Sequence, residues 1–213
     1  MMIELAVVFG GSFTLALSGA LMPGPLLTVT IAESARRGFM TGPLLILGHG
    51  ILELALVVAI IQGLGPFLKR PLIMGGIALV GGGILLWMGI QMIRTAGNLS
   101  LNGEATGPGG TSHPVLTGIL ASLSNPYWTL WWATIGLGYL VTAMKLGILG
   151  VGTFFLGHIL ADLIWYSLVS FGISRGKKIL KDKAYQLIIR LCGIFLLGFG
   201  GWFLMAGRAY IWK

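Results

Sequence analysis

Six long apolar runs dominate the chain and leave it few choices of fold. They extend roughly from Ile3 to Ala32, Gly42 to Leu64, Pro71 to Ile93, Val115 to Met144, Leu146 to Ile173 and Leu187 to Gly207, each bounded by charge or turn residues. A hydrocarbon core of about 30 Å needs about 20 apolar residues per helix, so each run is long enough to cross. No segment alternates apolar and polar residues over the roughly 10 positions of a barrel strand, which excludes a transmembrane barrel. The first and fourth runs exceed a straight span and carry prolines near their middles, so both are expected to be broken helices. With 56% hydrophobic and 9% charged residues and a mean hydropathy of +0.93, a water-soluble domain is ruled out. The expected class is an all-α integral membrane protein with six transmembrane helices.

A formal net charge of +8 in a soluble chain would suggest nucleic acid. Here the basic residues sit in short clusters between apolar runs, the pattern of a membrane protein, and no nucleic-acid partner is expected. Nine of the fourteen Lys and Arg, among them Arg36, Arg37, Arg94 and Arg175, follow the first, third and fifth runs. The positive-inside rule then predicts both termini outside the cytoplasm. Met1-Met2-Ile3-Glu4 lacks the basic region of a secretory signal, so the first helix is expected to be retained. The single Cys192 lies in an apolar run and offers neither a disulfide framework nor a cysteine metal site.

Glycine is abundant, at 35 residues. In lipid, small residues let helix backbones approach closely. Gly75, Gly76, Gly81, Gly82, Gly83 and Gly89 are expected on a packing face of the third run, and Gly193, Gly198, Gly200 and Gly201 on one of the sixth. Such faces would also allow a homodimer.

The second and fifth runs share a signature. Gly48-His49-Gly50-Ile51-Leu52-Glu53 matches Gly157-His158-Ile159-Leu160-Ala161-Asp162, both reading G-H-x-x-x-acid. The runs before them also correspond, through Met22-Pro23-Gly24-Pro25 in one and Ser124-Asn125-Pro126 in the other. Three spans, an odd number, separate each element from its copy, so the two halves would insert in opposite orientations. That predicts two inverted-topology three-helix repeats, residues 1–94 and 115–213, the plan of many secondary transporters. Residues 95–114, rich in Gly, Ser, Thr and Asn, are expected to be the flexible linker loop between them.

Pro23 and Pro25 lack backbone N–H groups, so the first helix must break near Gly24, leaving the carbonyls of Gly19 and Leu21 without their usual partners. With Gly24 as N-cap and Pro25 as first residue, a second half-helix begins there, its free amides and dipole making an anion site. Asn125 and Pro126 offer the same arrangement in the other half. Ser122 and Ser124 beside that break are read as helix-capping residues. Of six acidic residues, Glu53 and Asp162 lie well inside the runs. Burying either costs at least about 2.5 to 3.5 kcal/mol on insertion scales, which makes each a functional candidate. His49 and His158 stand one helical turn before them, giving two proton-exchangeable pairs, His49 with Glu53 and His158 with Asp162. A histidine that merely hydrogen-bonds its acid would explain the same spacing. Tyr127, Trp128, Trp131 and Trp132 follow the second break as a gate, a side-chain pocket or an interfacial belt. Trp165 and Tyr166, one turn past Asp162, would continue that wall.

Met22-Pro23-Gly24-Pro25, Arg36-Arg37-Gly38, Asn125-Pro126 and Ala161-Asp162-Leu163-Ile164-Trp165-Tyr166, taken in order, resemble the lysine exporter (LysE/RhtB) family of amino-acid translocators over nearly the whole chain. The resemblance implies export of amino acids or close derivatives across the bacterial inner membrane, driven by the proton gradient or membrane potential without ATP. Two positions depart from it. Tyr127 follows Asn125-Pro126 where many members resemble Asn-Pro-Lys, and His49 accompanies Glu53 where members more often show a single acid. On this reading a substrate carboxylate meets the helix breaks at Pro23, Gly24, Pro25, Asn125 and Pro126, and its ammonium meets Glu53 or Asp162.

A second class fits some of the same residues. Two histidines and two carboxylates converging from opposite halves would suit a divalent transition-metal exporter, although anion-binding helix ends have no role toward a cation. An enzyme fits poorly, since no nucleophile has a partner base. No nucleotide or other cofactor motif is present, and Gly107-Pro108-Gly109-Gly110 reads as linker chemistry.

Overall fold

The structure, a computed structural model, describes residues 1–68, 70–98, 113–176 and 182–211. Among these residues the chain is helical with no strand. The elements are α1 (Met2–Ala20), α2 (Pro25–Arg37), α3 (Thr41–Ala59), α4 (Gly65–Leu68), α5 (Pro71–Thr95), α6 (Pro114–Leu123), α7 (Pro126–Trp131), α8 (Leu137–Met144), α9 (Gly147–Gly176) and α10 (Asp182–Ile211). A wide π turn joins α3 to α4, and another joins α7 to α8. The linker expected over 95–114 lies mostly outside the described residues.

Among the described residues five helices are long and apolar enough to cross a membrane: Met2–Ala20, Thr41–Phe67, Pro71–Asn98, Gly147–Gly176 and Asp182–Tyr210. The fourth apolar run is divided. Its first piece, α6, is too short for a span of that kind, and the rest forms α7 and α8 beyond a break at Ser124-Asn125. Proline explains both breaks. Pro25 and Pro126 have no N–H to donate and a fixed φ, so each opens a helix and neither continues one. Gly24 stands before Pro25 in extended conformation, while Asn125 caps α7 by accepting the Tyr127 N–H at 3.1 Å. The carbonyl of Gly19 departs from expectation, since the Met22 N–H reaches it at 3.1 Å and closes the last turn of α1.

Glycine sets the helix contacts. Gly82 faces Gly200, Gly89 faces Gly193 and Gly75 faces Gly207, so each step of seven along α5 meets a step of seven backward along α10. A Cβ at Gly82 would stand 2.8 Å from the Gly200 carbonyl, and one at Gly89 2.7 Å from that of Gly193. The antiparallel pair is therefore packed backbone to backbone. Gly76, Gly83, Gly198 and Gly201 do not belong to this face, for a Cβ on any of them would meet open space. Their position on a helix decides this: Gly76, Gly83 and Gly201 stand one step and Gly198 two steps from a seam glycine, which turns them away from it.

The two helices that carry the repeated signature each rest on the first segment of the other half. Gly48 of α3 lies against the Val115 carbonyl of α6, and Gly118 of α6 lies reciprocally against the Leu45 carbonyl. Gly157 of α9 lies against the Phe9 carbonyl and Ser12 of α1. In both cases the glycine just before the histidine makes the close approach, which carries the histidine and the acid one turn later into the middle of the bundle. Outward faces are apolar, with Leu72, Val80 and Leu156 two-thirds exposed, as a lipid-facing surface requires.

Candidate functional site

His49 and Glu53 stand on one face of α3, and His158 and Asp162 on one face of α9. The crossing of these helices merges the two expected pairs into one cluster. His49 Nε2 lies 3.1 Å from Glu53 and 3.5 Å from Asp162, and His158 Nε2 lies 3.0 Å from Glu53 and 3.5 Å from Asp162. Each histidine thus contacts both acids, and both stand closer to Glu53 than to Asp162. All four residues are at most 5% exposed.

The surrounding donors are arranged unequally. Trp128 and Trp132 both donate their indole N–H to Glu53 Oε1, at 2.9 and 2.7 Å. The lone-pair capacity of that oxygen is met, whereas Glu53 Oε2 and Asp162 Oδ2 are buried and take no hydrogen bond. His49 Nδ1 is 2.7 Å from Ser122 Oγ, whose own proton goes to the Gly118 carbonyl at 2.7 Å. A hydroxyl has one proton, so Ser122 accepts from His49 Nδ1–H. The His49 Nε2 lone pair of the neutral ring then faces two carboxylates. Acceptors facing acceptors in a buried site require positive charge between them, either protons on the imidazoles or a bound cation. Ser122 is therefore a partner of His49 rather than a helix cap. The sequence offers no periodic sign of that contact, because it joins residues 73 positions apart.

Above the cluster is a cavity of about 40 Å³ that reaches Asn125 at the second break and Gly19 and Ala20 at the first. Tyr127, Trp128 and Trp131 line it, and Trp131 lies over the His158 ring with centroids 4.9 Å apart. A smaller cavity of about 10 Å³ shares Asn125 and Tyr127 with it and is lined also by Met22, Pro23 and Gly24. A Cβ on Gly24 would stand 3.4 Å from Asn125 Nδ2, so the two breaks adjoin one another. Pro25 is buried behind Gly24 at the start of α2, and Pro126 opens α7. In α2 the first bond from a helix amide runs from Thr28 to the Gly24 carbonyl at 3.0 Å, leaving Leu26 and Leu27 as first-turn amides with no intrahelical acceptor.

Trp165 does not reach this cavity. Its neighbour Tyr166, four positions after Asp162 on α9, does. Trp165 instead packs against the core with its indole N–H buried and unpartnered. Tyr127 also departs from a simple gate, since its ring packs on Phe199 and Phe203 of α10. It ties the cavity wall to the outer helix pair.

Trp132→Phe keeps the ring and removes one of the two donors to Glu53. A hydrogen bond to a charged group contributes about 1.5–3 kcal/mol. Transport is expected to fall by roughly one to two decades at 1.4 kcal/mol per decade, with no loss of protein from the membrane. Initial rates in vesicles, normalised to the amount of inserted protein, check this.

The chain is 32% identical over 111 residues to the Uncharacterized membrane protein PA4757 of Pseudomonas aeruginosa, an alignment that covers 50% of this chain and 51% of that protein. The chain thus spans about half the length of that relative. No solved structure matches. The LysE type translocator family matches residues 17–207, which include both helix breaks, all four clustered side chains and the glycine seam, and the chain belongs to that family of membrane translocators.

Proposed function

We propose that this translocator is a secondary transporter exporting amino acids or close derivatives across the bacterial inner membrane, driven by the proton gradient or membrane potential. It is built as two inverted three-helix repeats, residues 1–94 and 115–213, joined through 95–114. The observation that carries this reading is that one cavity joins Asn125, beside the first-turn amides of two half-helices, to Glu53 and Asp162. A zwitterion needs both ends. Its carboxylate takes the positive helix ends at Gly24 and Asn125, and its ammonium takes the carboxylates.

The charge balance of the cluster supports a coupling scheme. With both imidazoles protonated the four groups are neutral, and with both neutral they carry two negative charges. An ammonium is therefore admitted as protons leave, and protons return as it departs. Substrate moving outward is matched by protons moving inward. Rocking of one repeat against the other, about the backbone contacts of Gly48 and Gly157, exposes the cavity to alternate sides.

The test is release into the medium by cells overproducing the protein and loaded with a panel of dipeptides, with a protonophore as control. Release of one or a few amino acids, lost with the protonophore, is expected. Equal release by cells without the protein across the panel would contradict the substrate class. Asn125→Asp locates the carboxylate, since Asp caps a helix as well as Asn but adds negative charge. Apparent affinity for substrate is expected to fall about tenfold or more, equivalent to about 1.4 kcal/mol, while α7 remains capped. An unchanged affinity would remove the carboxylate from this break.

A further inference from the structure

The histidine–carboxylate cluster has a geometry that amino-acid transport does not require. In a tetrahedral site with metal–ligand distances near 2.0–2.1 Å, neighbouring ligand atoms lie about 3.3–3.4 Å apart. Here, with Glu53 Oε2 as the glutamate's ligand atom, His158 Nε2 lies 3.0 Å from it, and His49 Nε2 and His158 Nε2 each lie 3.5 Å from Asp162 Oδ2. Three of the six edges of such a tetrahedron are already near that length. One ligand atom from each of the four residues lies within 4.8 Å of every other.

Two further observations point to a ligand. Glu53 Oε2 and Asp162 Oδ2 are fully buried, accept no hydrogen bond and border the centre of the cluster. Two of the four residues also have the supporting contacts of a metal site, where a ligating histidine passes its other ring N–H to a fixed acceptor and a ligating carboxylate is held by donors from behind, while His158 Nδ1 is buried without a partner. Ser122 holds His49 in this way, and Trp128 and Trp132 hold Glu53.

We infer that His49, Glu53, His158 and Asp162 form a four-coordinate binding site for a first-row divalent transition-metal ion. Two imidazoles and two carboxylates are a borderline donor set suited to ions such as Zn²⁺ and Co²⁺, and too rich in nitrogen for Mg²⁺ or Ca²⁺. The site occupies the cation end of the transport cavity. It does not rest on the amino-acid reading.

The experiment is Co²⁺ titration of the full chain in detergent, with any polyhistidine tag removed and no amino acid present. Visible absorption and metal content per chain are the readouts. About one Co²⁺ per chain is expected, with the strong visible bands of a four-coordinate ion, displaced by Zn²⁺ and unaffected by excess Mg²⁺. Asp162→Asn and His158→Gln, each close in shape to the original, are expected to weaken binding at least tenfold. Ser122→Ala, which removes only the support of His49, is expected to weaken it about 10–100-fold. Absence of Co²⁺ binding in the wild-type protein overturns the inference. So does binding that persists unchanged in Asp162→Asn and His158→Gln, or weak bands of a six-coordinate ion. None of these results alters amino-acid release by cells, so the two readings fail separately.

Discussion

Glu53→Gln is expected to reduce transport by two decades or more while leaving the protein folded in the membrane. Glu53 is the hub of the cluster, contacted by both histidines and both indoles. Glutamine keeps the shape and a carbonyl oxygen for Trp128 and Trp132, so the donors are still met. Its amide donates toward His158, where the carboxylate oxygen had taken no hydrogen bond. What is lost is charge. Breaking a buried pair by removing one charged partner costs about 3–5 kcal/mol, which at 1.4 kcal/mol per decade is two to three decades in binding of a cation or proton. Glu53→Ala should behave differently. It orphans two buried indole N–H groups at about 1–3 kcal/mol each and leaves a cavity, so less protein survives extraction in detergent. Transport rates for the first variant and the yield of monodisperse protein for the second separate chemistry from folding.

Gly48→Val is expected to prevent assembly of the helical bundle. The position touches the Val115 carbonyl across α3 and α6, and Gly118 repeats the contact in reverse, so neither helix has a flexible side chain that can withdraw. Overpacking usually costs about 1–3 kcal/mol, and backbone against backbone lies beyond that range. Gly76→Ala and Gly83→Ala are the controls, since a Cβ there meets open space and alanine favours a helix interior by about 0.8–1.0 kcal/mol over glycine. The Gly48 variant is expected to yield little monodisperse protein after extraction, and the two controls to match or exceed the parent. Normal yield of the Gly48 variant would mean that α3 and α6 do not depend on this approach.

Much of the fold was legible because lipid allows so few solutions. Run length, proline and asparagine placed the helices and both breaks, and the matched signatures at His49 and His158 pointed to the residues that the structure gathers. Three things were not legible. Which glycines form the seam depends on helix rotation, so Gly82 and Gly89 could not be told from Gly76 and Gly83 by abundance alone. That the two histidine–acid pairs could converge was open to the sequence, but which histidine touches which acid depends on how α3 crosses α9, a contact between residues more than 100 positions apart. The roles of Ser122 and Trp132 follow from that crossing. Of the two aromatic residues one turn past Asp162, Tyr166 lines the cavity and Trp165 packs into the core, a difference of helix rotation that spacing alone does not resolve.

The central claim is that the four buried groups form one site where a cation and protons exchange during transport. It is tested most directly by measuring substrate and proton flux together in proteoliposomes, with an internal pH dye and a substrate identified from the release panel. Substrate movement accompanied by opposite proton movement, both lost together in Asp162→Asn, is the predicted result. Substrate flux that continues undiminished in a Glu53→Gln, Asp162→Asn double variant would contradict it.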